Sequence, residues 1–289
     1  MRIMSKPLIT VIVAVYCAEK YIKRCLDSII AQDYENWNAI LVNDASKDNS
    51  LEIIKEYAKK DTRFIVINNE ENIGVAPTRN KALEKADGEY IAFLDSDDWW
   101  DTDMLSSLLE IAEKNDSDVV QCKYRYDYEN GQWYEPADIF PDETVFEGEE
   151  IKKIYKLMMS GMRMNHVCMK LYKREVLRGK LFDVKMKTGE DLVFNIDVFS
   201  DVRKYTYIKK PMYHYYRVTD GLTSSSLGFK EKWKNNKYIS NIMKQKLPFI
   251  DMDTPYYRFM VWIRPYRLVI SKMYRMLMDK LHMGKTGEN

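Results

Sequence analysis

The chain has 289 residues, of which 46% are apolar and 31% charged, and its 45 basic and 44 acidic residues leave a formal net charge of +1. Folding of a chain this long hides about 75% of the unfolded surface. The apolar content is too high and the net charge too low for a disordered protein. Length and composition therefore indicate a globular protein of one or two domains.

Five short, apolar, β-rich runs recur along residues 1–120. They start at Leu8, Ala39, Phe64, Tyr90 and Val119, which are 31, 25, 26 and 29 residues apart. This spacing fits a strand plus a crossover helix, and the apolar residues are continuous along each run, as in a buried parallel sheet. The pattern predicts an α/β fold with a Rossmann-like, mostly parallel sheet flanked by helices.

Apolar residues at helical spacing predict three helices between these strands, around residues 22–30, 51–58 and 105–112. Beyond Tyr124 the rhythm changes to an aromatic, acidic stretch that predicts loops and mixed strands. A helix is expected at 148–160, another opens at Gly189, and 204–217 has a strand-like pattern. Residues 219–228 have the Gly/Ser composition of a mobile loop.

The C-terminal part differs in charge from the rest. Residues 229–289 hold 13 basic and 5 acidic residues and carry +8, whereas the remainder carries −7. We therefore divide the chain into a domain at 1–228, with halves at about 1–120 and 121–228, and a basic helical C-terminal extension at 229–289. Two interpretations of the extension stay open: it lies on an anionic membrane surface, or it packs on the main domain or a partner chain.

The four cysteines show neither a C-x-x-C pair nor the spacing of metal ligands, which predicts reduced, mostly buried thiols in a reducing compartment. The N-terminus has no signal-peptide pattern, and the longest apolar run, 8–16, is shorter than the ~20 residues that span a bilayer. We expect a cytoplasmic protein, with peripheral association with the inner face of the membrane if the extension binds lipid.

Several common chemistries leave recognisable spacings that are missing from this sequence. The 11 glycines never form G-x-G, and there is no P-loop and no G-x-S-x-G elbow. Three histidines, His166, His214 and His282, are too far apart for an H-E-x-x-H zinc site. Aromatic residues at 126–134 lie among acids, which disfavours nucleic-acid binding. Dinucleotide-dependent redox chemistry, P-loop NTP hydrolysis and serine hydrolysis lose support.

Polar residues follow the predicted strands where they end. Tyr16 closes the first run, Asp44 the second, and Asp95, Asp97 and Asp98 the fourth. The carboxyl ends of parallel strands share one edge, where ligands bind, so these groups should converge. Clustered carboxylates suit Mg²⁺ or Mn²⁺. Alternatively, Asp44 and Asp48 are turn or N-cap residues ahead of the second helix, and the acids of 95–98 favour the first turn of the next helix.

The motifs around these residues resemble those of the inverting family 2 glycosyltransferases, which have the GT-A fold and include bacterial polysaccharide-biosynthesis enzymes. The resemblance extends from residue 9 to about 225. It is carried by Ile-Thr-Val-Ile-Val-Ala-Val-Tyr (9–16), Ile-Leu-Val-Asn-Asp-Ala-Ser (40–46), Asn-Ile-Gly (72–74), Thr-Arg-Asn (78–80), Ala-Asp-Gly-Glu-Tyr (86–90), Phe-Leu-Asp-Ser-Asp-Asp (93–98), Lys-Leu-Tyr-Lys-Arg-Glu (170–175) and Gly-Glu-Asp (189–191). Departures from the usual pattern are Ala14 for Pro, Cys17 for Asn and Ala45 for Gly.

The resemblance implies a role for individual residues. Tyr16 and Asp44 would hold the nucleobase, Asp95 would lie near the ribose, and Asp97 would ligate the metal that carries the diphosphate. Asp191 would be the catalytic base, although an acid in the first turn of a helix also has a purely structural explanation. The same resemblance assigns four further residues to nucleotide-sugar binding: Ala14, Val15, Glu19 and Ser96. It assigns Glu190 to the acceptor side.

Two arginines are secondary candidates from their positions. Arg79 lies in a predicted loop that follows the third strand, in which Pro77 precedes it, and it either approaches the nucleotide or pairs with a neighbouring acid. Arg217 ends the strand-like segment just before the Ser-rich loop and could clamp phosphate.

The sequence thus predicts metal-dependent, inverting transfer of a sugar, with Mn²⁺ or Mg²⁺, from a nucleotide-sugar to a hydroxyl of a saccharide or lipid-linked saccharide. UDP is preferred for the nucleotide on family frequency. The alternative is a catalytically inactive sugar-nucleotide or polysaccharide-binding module of the same fold. A nucleotidyltransferase is disfavoured because Ala18-Glu19-Lys20, and not a Gly-rich basic loop, follows the first strand.

Overall fold

A computed structural model describes residues 6–141, 143–160, 164–186, 188–217, 228–248 and 250–266. The helices and strands in chain order are β1 (Ile9–Val15), α1 (Ile22–Ile30), β2 (Trp37–Asn43), α2 (Ser50–Lys60), β3 (Phe64–Asn68), α3 (Val75–Lys85), β4 (Tyr90–Phe93), β5 (Trp99–Trp100), α4 (Met104–Asn115), β6 (Val119–Tyr128), β7 (Trp133–Tyr134), β8 (Thr144–Glu147), a 3₁₀ turn (Gly148–Glu150), α5 (Ile151–Ser160), β9 (Lys170–Lys173), α6 (Arg174–Leu177), α7 (Glu190–Val198), β10 (Lys204–Arg217) and α8 (Phe229–Lys246).

Ten strands of the described residues form one sheet in the order β3-β2-β1-β4-β9-β6-β10-β5, with β7 beside β6 and β8 beside β10. The predicted α/β fold is confirmed. Neighbours from β3 to β4 pair in parallel, but β9 lies antiparallel between β4 and β6. The sheet is therefore parallel in its N-terminal half and mixed beyond it.

The parallel half has the continuous burial expected from its apolar strands. All of β1 except Ala14 is buried, and so is all of β2 except Asn38. The register pairs Val15 with Asn43, and the Asp44 amide donates to the Val15 carbonyl at 2.8 Å. These two strands therefore end side by side, which brings the residues that follow them to the same edge of the sheet.

Helix α3 was not expected from the sequence, because Pro77 suggested a loop before Arg79. Pro77 is the third residue of the helix, where the backbone N–H has no partner within the helix in any case. The proline is therefore tolerated. The position of Arg79 is corrected accordingly: its side chain projects from a helix and not from a loop.

The second half confirms most of the predicted elements. The aromatic stretch forms the end of β6 and the β7 strand, the segment 204–217 is β10, and α7 begins at Glu190. The expected helix at 148–160 begins as a 3₁₀ turn and becomes α-helical at Ile151. Residues 219–227 of the predicted loop lie outside the described residues.

Of the C-terminal extension, α8 and a helical segment at 255–266 are described. Helix α8 buries Ile239, Met243 and Leu247, and its Asn235 amide donates to the Thr188 carbonyl just before α7. This is the packing that one of the two interpretations expected. The helical segment at 255–266 exposes aromatic side chains, among them Trp262 at 59%, and contact of the extension with a membrane stays a prediction. Within the described part of the chain, no helix is both long and apolar enough to cross a bilayer. Residues 267–289 lie outside the described residues.

Candidate active site

A cleft of about 550 Å³ opens at the carboxyl edge of β1, β2 and β4. It is the edge at which the sequence placed the polar residues, and Asp44 and Asp97 lie in one lining although they are 53 positions apart in the sequence. A cleft of this size is in the range of small-molecule sites. The predicted residues in its lining are Ala14, Val15, Tyr16, Asp44, Arg79, Asp95, Ser96 and Asp97.

Asp44 organises the wall of the cleft. Its side chain accepts hydrogen bonds from the Ile73 amide at 2.9 Å, the Gly74 amide at 2.8 Å and the Asn69 amide group at 2.9 Å. Gly74 has φ +90°, a conformation that other residues rarely adopt. The turn role considered for Asp44 belongs instead to Asp48, which accepts from the Ser50 amide at 3.1 Å. Asp44 thus ties the segment before α3 to the end of β2.

Two departures from the family pattern occupy strained backbone positions beside the cleft. Cys17 has φ 49° and Ala45 has φ 54°, both in the left-handed region that costs a residue with a Cβ about 1 kcal/mol or more. Asn and Gly, the usual residues there, adopt this conformation more readily. Both positions therefore have the conformation that Asn and Gly favour, although the residue types differ.

The cysteines are largely buried, as the sequence predicted. Cys17 is exposed, whereas Cys25, Cys122 and Cys168 are buried, and all four are free thiols.

Arg79 joins the two halves of the domain. Its guanidinium contacts Asp95 at 2.8 Å, Asp191 at 2.6 Å and Glu190 at 3.5 Å, and the residue is 5% exposed. Burial opposes the positive charge, but Asp191 and Asp95 together raise the pKa of Arg79 well above its ordinary value. Of the two sequence interpretations of Arg79, ion pairing is the one observed, and the residue also lines the cleft.

We expect Arg79→Met to destabilise the protein by about 3–5 kcal/mol, because it leaves three carboxylates that are only 14%, 17% and 34% exposed without their cation. The measurement is the free energy of unfolding by urea at pH 7. Arg258→Met is the matched control, since that arginine is 58% exposed and pairs only with Asp253 among the described acidic residues; the loss there should stay below about 1 kcal/mol. Equal losses in the two variants would contradict the assigned role of Arg79.

The acids after β4 separate into different environments. Asp98 is 1% exposed and accepts from the Tyr213 hydroxyl at 2.5 Å and the Tyr216 amide at 2.8 Å, and burial raises its pKa. Asp95 pairs with Arg79. Burial and the nearby charge of Asp95 raise the pKa of Asp97 to about 6. Asp98 therefore has a structural role, whereas Asp97 faces the cleft with an unfavourable negative charge.

Asp97 is positioned through its backbone. The Arg24 guanidinium donates to the Asp97 carbonyl at 2.9 Å and is held between the rings of Trp99, at 3.7 Å, and Tyr216, at 4.3 Å. The sequence interpretation missed this role of Arg24, because a single arginine in α1 carries no signal of a contact 73 residues away.

Asp191 lies in the first turn of α7, as predicted, with its side chain 17% exposed. One carboxylate oxygen faces Arg79, and the other accepts from the Val167 amide at 3.2 Å. The helix itself has no side-chain cap, so the bonds of Asp191 to other elements are not those of a capping residue. Burial and the Asp191 charge raise the pKa of the neighbouring Glu190.

A buried lysine supports the turn that holds Asp191. The Lys170 ammonium, in a residue with no exposed surface, donates to the carbonyls of Met164 and His166, and burial lowers its pKa to about 7. Val167 follows this turn directly. Lys170 belongs to a motif that carries the family resemblance, but the motif alone assigned it no role.

Four predicted residues lie outside the lining of the cleft: Asp191 and Glu190, which reach it only through Arg79, and Glu19 and Arg217. The Glu19 carboxylate accepts from the backbone and side-chain amides of Asn49, both at 3.0 Å. The Arg217 guanidinium lies over the rings of Tyr215, at 4.6 Å, and Tyr126, at 5.0 Å. Contact of Glu19 and Arg217 with a donor stays a prediction, and Arg217 is discussed below with its aromatic neighbours.

The described residues contain no group of three or more His, Cys, Asp or Glu side chains arranged to hold a metal ion. A divalent metal at Asp97 would therefore take further ligands from the bound molecule and water. This fits Mg²⁺ and Mn²⁺, which bind nucleotide phosphates through one or two protein carboxylates.

Comparison with known families identifies the chain. The model of the family described as "Glycosyl transferase family 2" matches residues 10–179. The chain belongs to glycosyltransferase family 2. The match includes the cleft residues and Lys170, and it ends before Asp191.

Two relatives from Bacillus subtilis (strain 168) are named for polymer biosynthesis: TuaG for teichuronic acid and GgaB for minor teichoic acid. EpsH of Bacillus subtilis (strain 168), which carries the name of a glycosyltransferase, is 36% identical over 221 residues, 73% of this chain and 61% of EpsH. The chain spans less than two-thirds of the length of this relative, and also of two further curated relatives, of which it covers 32% and 63%.

Solved structures confirm the GT-A type of fold. S. aureus TarS 1-349 in complex with UDP-GlcNAc has a TM-score of 0.68 at 22% identity. The match covers 83% of this chain and 72% of the TarS chain. The mannosyltransferase PcManGT of Pyrobaculum calidifontis, in complex with GDP-Man and Mn²⁺, has a TM-score of 0.55 at 16% identity, with coverages of 95% and 81%. At these identities the likeness concerns the fold alone.

Proposed function

We propose that this family 2 chain transfers a sugar from a nucleotide-sugar, preferably a UDP-sugar, to a hydroxyl group of a saccharide or lipid-linked saccharide acceptor in polysaccharide biosynthesis. The transfer depends on Mn²⁺ or Mg²⁺ and inverts the anomeric centre. TarS and PcManGT, which share the fold, are known in complex with UDP-GlcNAc and with GDP-Man and Mn²⁺, and this supports the donor class and the metal.

The observation that carries the proposal is the arrangement of carboxylates around Arg79. Asp95, on the cleft side, and Asp191, on α7, contact different nitrogens of one guanidinium, at 2.8 and 2.6 Å. Asp97 lies two residues from Asp95 in the same cleft. One guanidinium thereby links Asp191, which can take a proton, to Asp95, the neighbour of the residue that would hold the metal and diphosphate, and group transfer between two substrates requires such fixed relative positions.

The residues fit a divalent cation. The pKa of Asp97, raised to about 6 by burial and by Asp95, reports negative charge that the nearby arginines do not balance. Asp97 would hold the ion, with Asp95 beside it. When bound, the ion neutralises the charge that develops on the departing diphosphate.

The protein side chains supply the remaining steps. Asp44 and Tyr16 bound the end of the cleft where the nucleobase would lie. Asp191 takes the proton of the acceptor hydroxyl through the oxygen that now accepts the 3.2 Å bond from Val167, the weaker of its two contacts. Arg79 fixes this carboxylate in direction through its 2.6 Å contact with the other oxygen. Attack opposite the leaving group inverts the anomeric centre, so no enzyme nucleophile is needed.

A thermal-shift screen of nucleotide-sugars with and without Mn²⁺ tests the donor class. At a donor concentration of about 100 times its Kd, binding should stabilise the protein by about 2.7 kcal/mol. We expect this gain for a UDP-sugar only when the metal is present. A gain of the same size without metal would contradict metal dependence, and the absence of a gain with any nucleotide-sugar would contradict the donor class.

An inactive binding module of the same fold is the competing function. It predicts the same thermal shift but no release of UDP with any acceptor. The pairing of Asp191 with Arg79 favours the enzyme, since a module that only binds nucleotide-sugar needs no carboxylate of α7 fixed beside the cleft.

A further inference from the structure

Four rings form a row across the second half of the sheet, which we call the aromatic row: Tyr134 on β7, Tyr126 on β6, Tyr215 on β10, and His166. The register pairs Tyr126 with both Tyr134 and Tyr215, so the three tyrosines share one face of the sheet. Successive ring centroids are 6.3, 5.6 and 6.2 Å apart, and the rings of Tyr126 and Tyr134 are nearly parallel, at 7°.

The inner end of the row reaches the proposed catalytic base. His166 precedes Val167, whose amide donates to Asp191 at 3.2 Å, and the Asp191 charge acts on the His166 ring. Burial and the charges of Asp95 and Asp98 raise the pKa of Tyr215. The outer end is open, because Tyr134 is 53% exposed. The row therefore leads from Asp191 to the protein surface.

The chemistry of the row suits a neutral or weakly charged saccharide. The apolar C–H faces of pyranose rings pack on aromatic rings, and the row is spaced at about the length of one sugar unit. The Arg217 guanidinium lies over the Tyr126 and Tyr215 rings, where it can donate to sugar hydroxyls.

We propose that the aromatic row is the acceptor subsite: it binds a saccharide of two or more sugar units, with the terminal hydroxyl at Asp191 and the preceding unit stacked toward Tyr134. The role of this saccharide as the acceptor rests on the proposed function, whereas binding of a saccharide to the row does not. This subsite gives Arg217 a place beside the acceptor, next to the rings of Tyr126 and Tyr215.

The hairpin provides a matched pair of variants. Trp133, the neighbour of Tyr134, is 60% exposed but points to the opposite face, where Arg125 lies 5.7 Å from its ring. Tyr134→Ala and Trp133→Ala therefore each remove one exposed ring from the same two-residue strand, and only the first shortens the row. Tyr134→Phe keeps the ring and removes the hydroxyl.

Saturation-transfer NMR on the full chain, without donor or metal, measures binding of cellobiose, maltose and N,N′-diacetylchitobiose. We expect at least one disaccharide to bind, Tyr134→Ala to weaken it by about tenfold, and Trp133→Ala and Tyr134→Phe to change it by less than about twofold. Equal far-ultraviolet circular dichroism and melting temperatures verify that the variants are folded.

Loss of binding in both alanine variants, no effect of Tyr134→Ala, or no binding of any of the three sugars to the unmodified chain would each overturn the proposal. Stabilisation by UDP-GlcNAc with Mn²⁺ is measured in parallel on the same samples. If that stabilisation is absent while the saccharide result holds, the proposed function fails and the aromatic row stands as a saccharide site. If it is present while saccharide binding does not follow Tyr134, only the acceptor subsite fails.

Discussion

Asp97→Asn should abolish the stabilisation by donor and Mn²⁺ and lower the rate of sugar transfer by at least about 10²-fold, since it removes the carboxylate proposed to hold the ion. The same change should stabilise the metal-free protein at pH 7.5 by about 1–2 kcal/mol. Burial and Asp95 raise the pKa of Asp97 from 3.8 to about 6. A pKa that is higher by one in the folded state than in the unfolded chain costs about 1.4 kcal/mol, and solvent screening reduces this cost because Asp97 is partly exposed.

The sign of this effect follows from proton binding. Between pH 3.8 and about 6 the folded protein binds more protons at Asp97 than the unfolded chain does, so stability falls as pH rises through this window. Above pH 6 the full cost is present, and Asn removes it. The gain from Asp97→Asn should therefore shrink from pH 7.5 to pH 4, as measured by urea unfolding without metal.

Asp48→Asn is the control with the opposite sign. Although burial opposes it, hydrogen bonds from Ser50 and from the Glu19 backbone lower the pKa of Asp48, so its ionised form supports folding. This variant should lose stability at pH 7.5 and keep the metal-dependent donor shift. A stability loss in Asp97→Asn, or a donor shift that survives it, would show that the charge of Asp97 has another purpose.

The parallel half of the fold was predictable because its strands are continuous apolar runs in the sequence; β1, β2 and β4 are buried as such runs suggest, whereas the edge strand β3 is partly exposed. The convergence of Tyr16, Asp44 and Asp97 followed from that, since parallel strands end at one edge. Strand β9, four residues with the sequence Lys-Leu-Tyr-Lys, was not predicted: its lysines resemble a surface segment, yet Lys170 is fully buried and satisfied by backbone carbonyls. Local sequence does not report such compensation.

The sequence identified the residues of the candidate site but not the contacts between them. Asp191 and Arg79 were both named from the sequence, but their 2.6 Å bond joins positions 112 residues apart on α7 and α3. The helix that orients Arg79 was hidden by Pro77, whose cost disappears in a first turn. Pairing between distant residues depends on tertiary packing, about which the periodicity of the sequence carries no information. The contact that links the cleft to Asp191 therefore emerged only from the structure.

That link decides the outcome of Asp191→Asn. We expect a loss of about 10²- to 10⁴-fold in kcat, because the acceptor hydroxyl keeps its proton. Donor binding should be unchanged: Asp44, Asp95 and Asp97 are untouched, and Arg79 keeps its 2.8 Å bond to Asp95. The measurements are initial rates of UDP release with acceptor and the thermal shift with UDP-sugar and Mn²⁺.

Glu190→Gln is the matched control, since Glu190 neighbours Asp191 and reaches the same guanidinium nitrogen at a longer distance of 3.5 Å. Its rate should fall less than about tenfold, because the bond that fixes Arg79 against Asp191 remains. If Glu190→Gln is the more damaging change, the roles of the two acids are exchanged. If Asp191→Asn removes donor binding and transfer to the same extent, the carboxylate supports the cleft through Arg79 and does not act as the base.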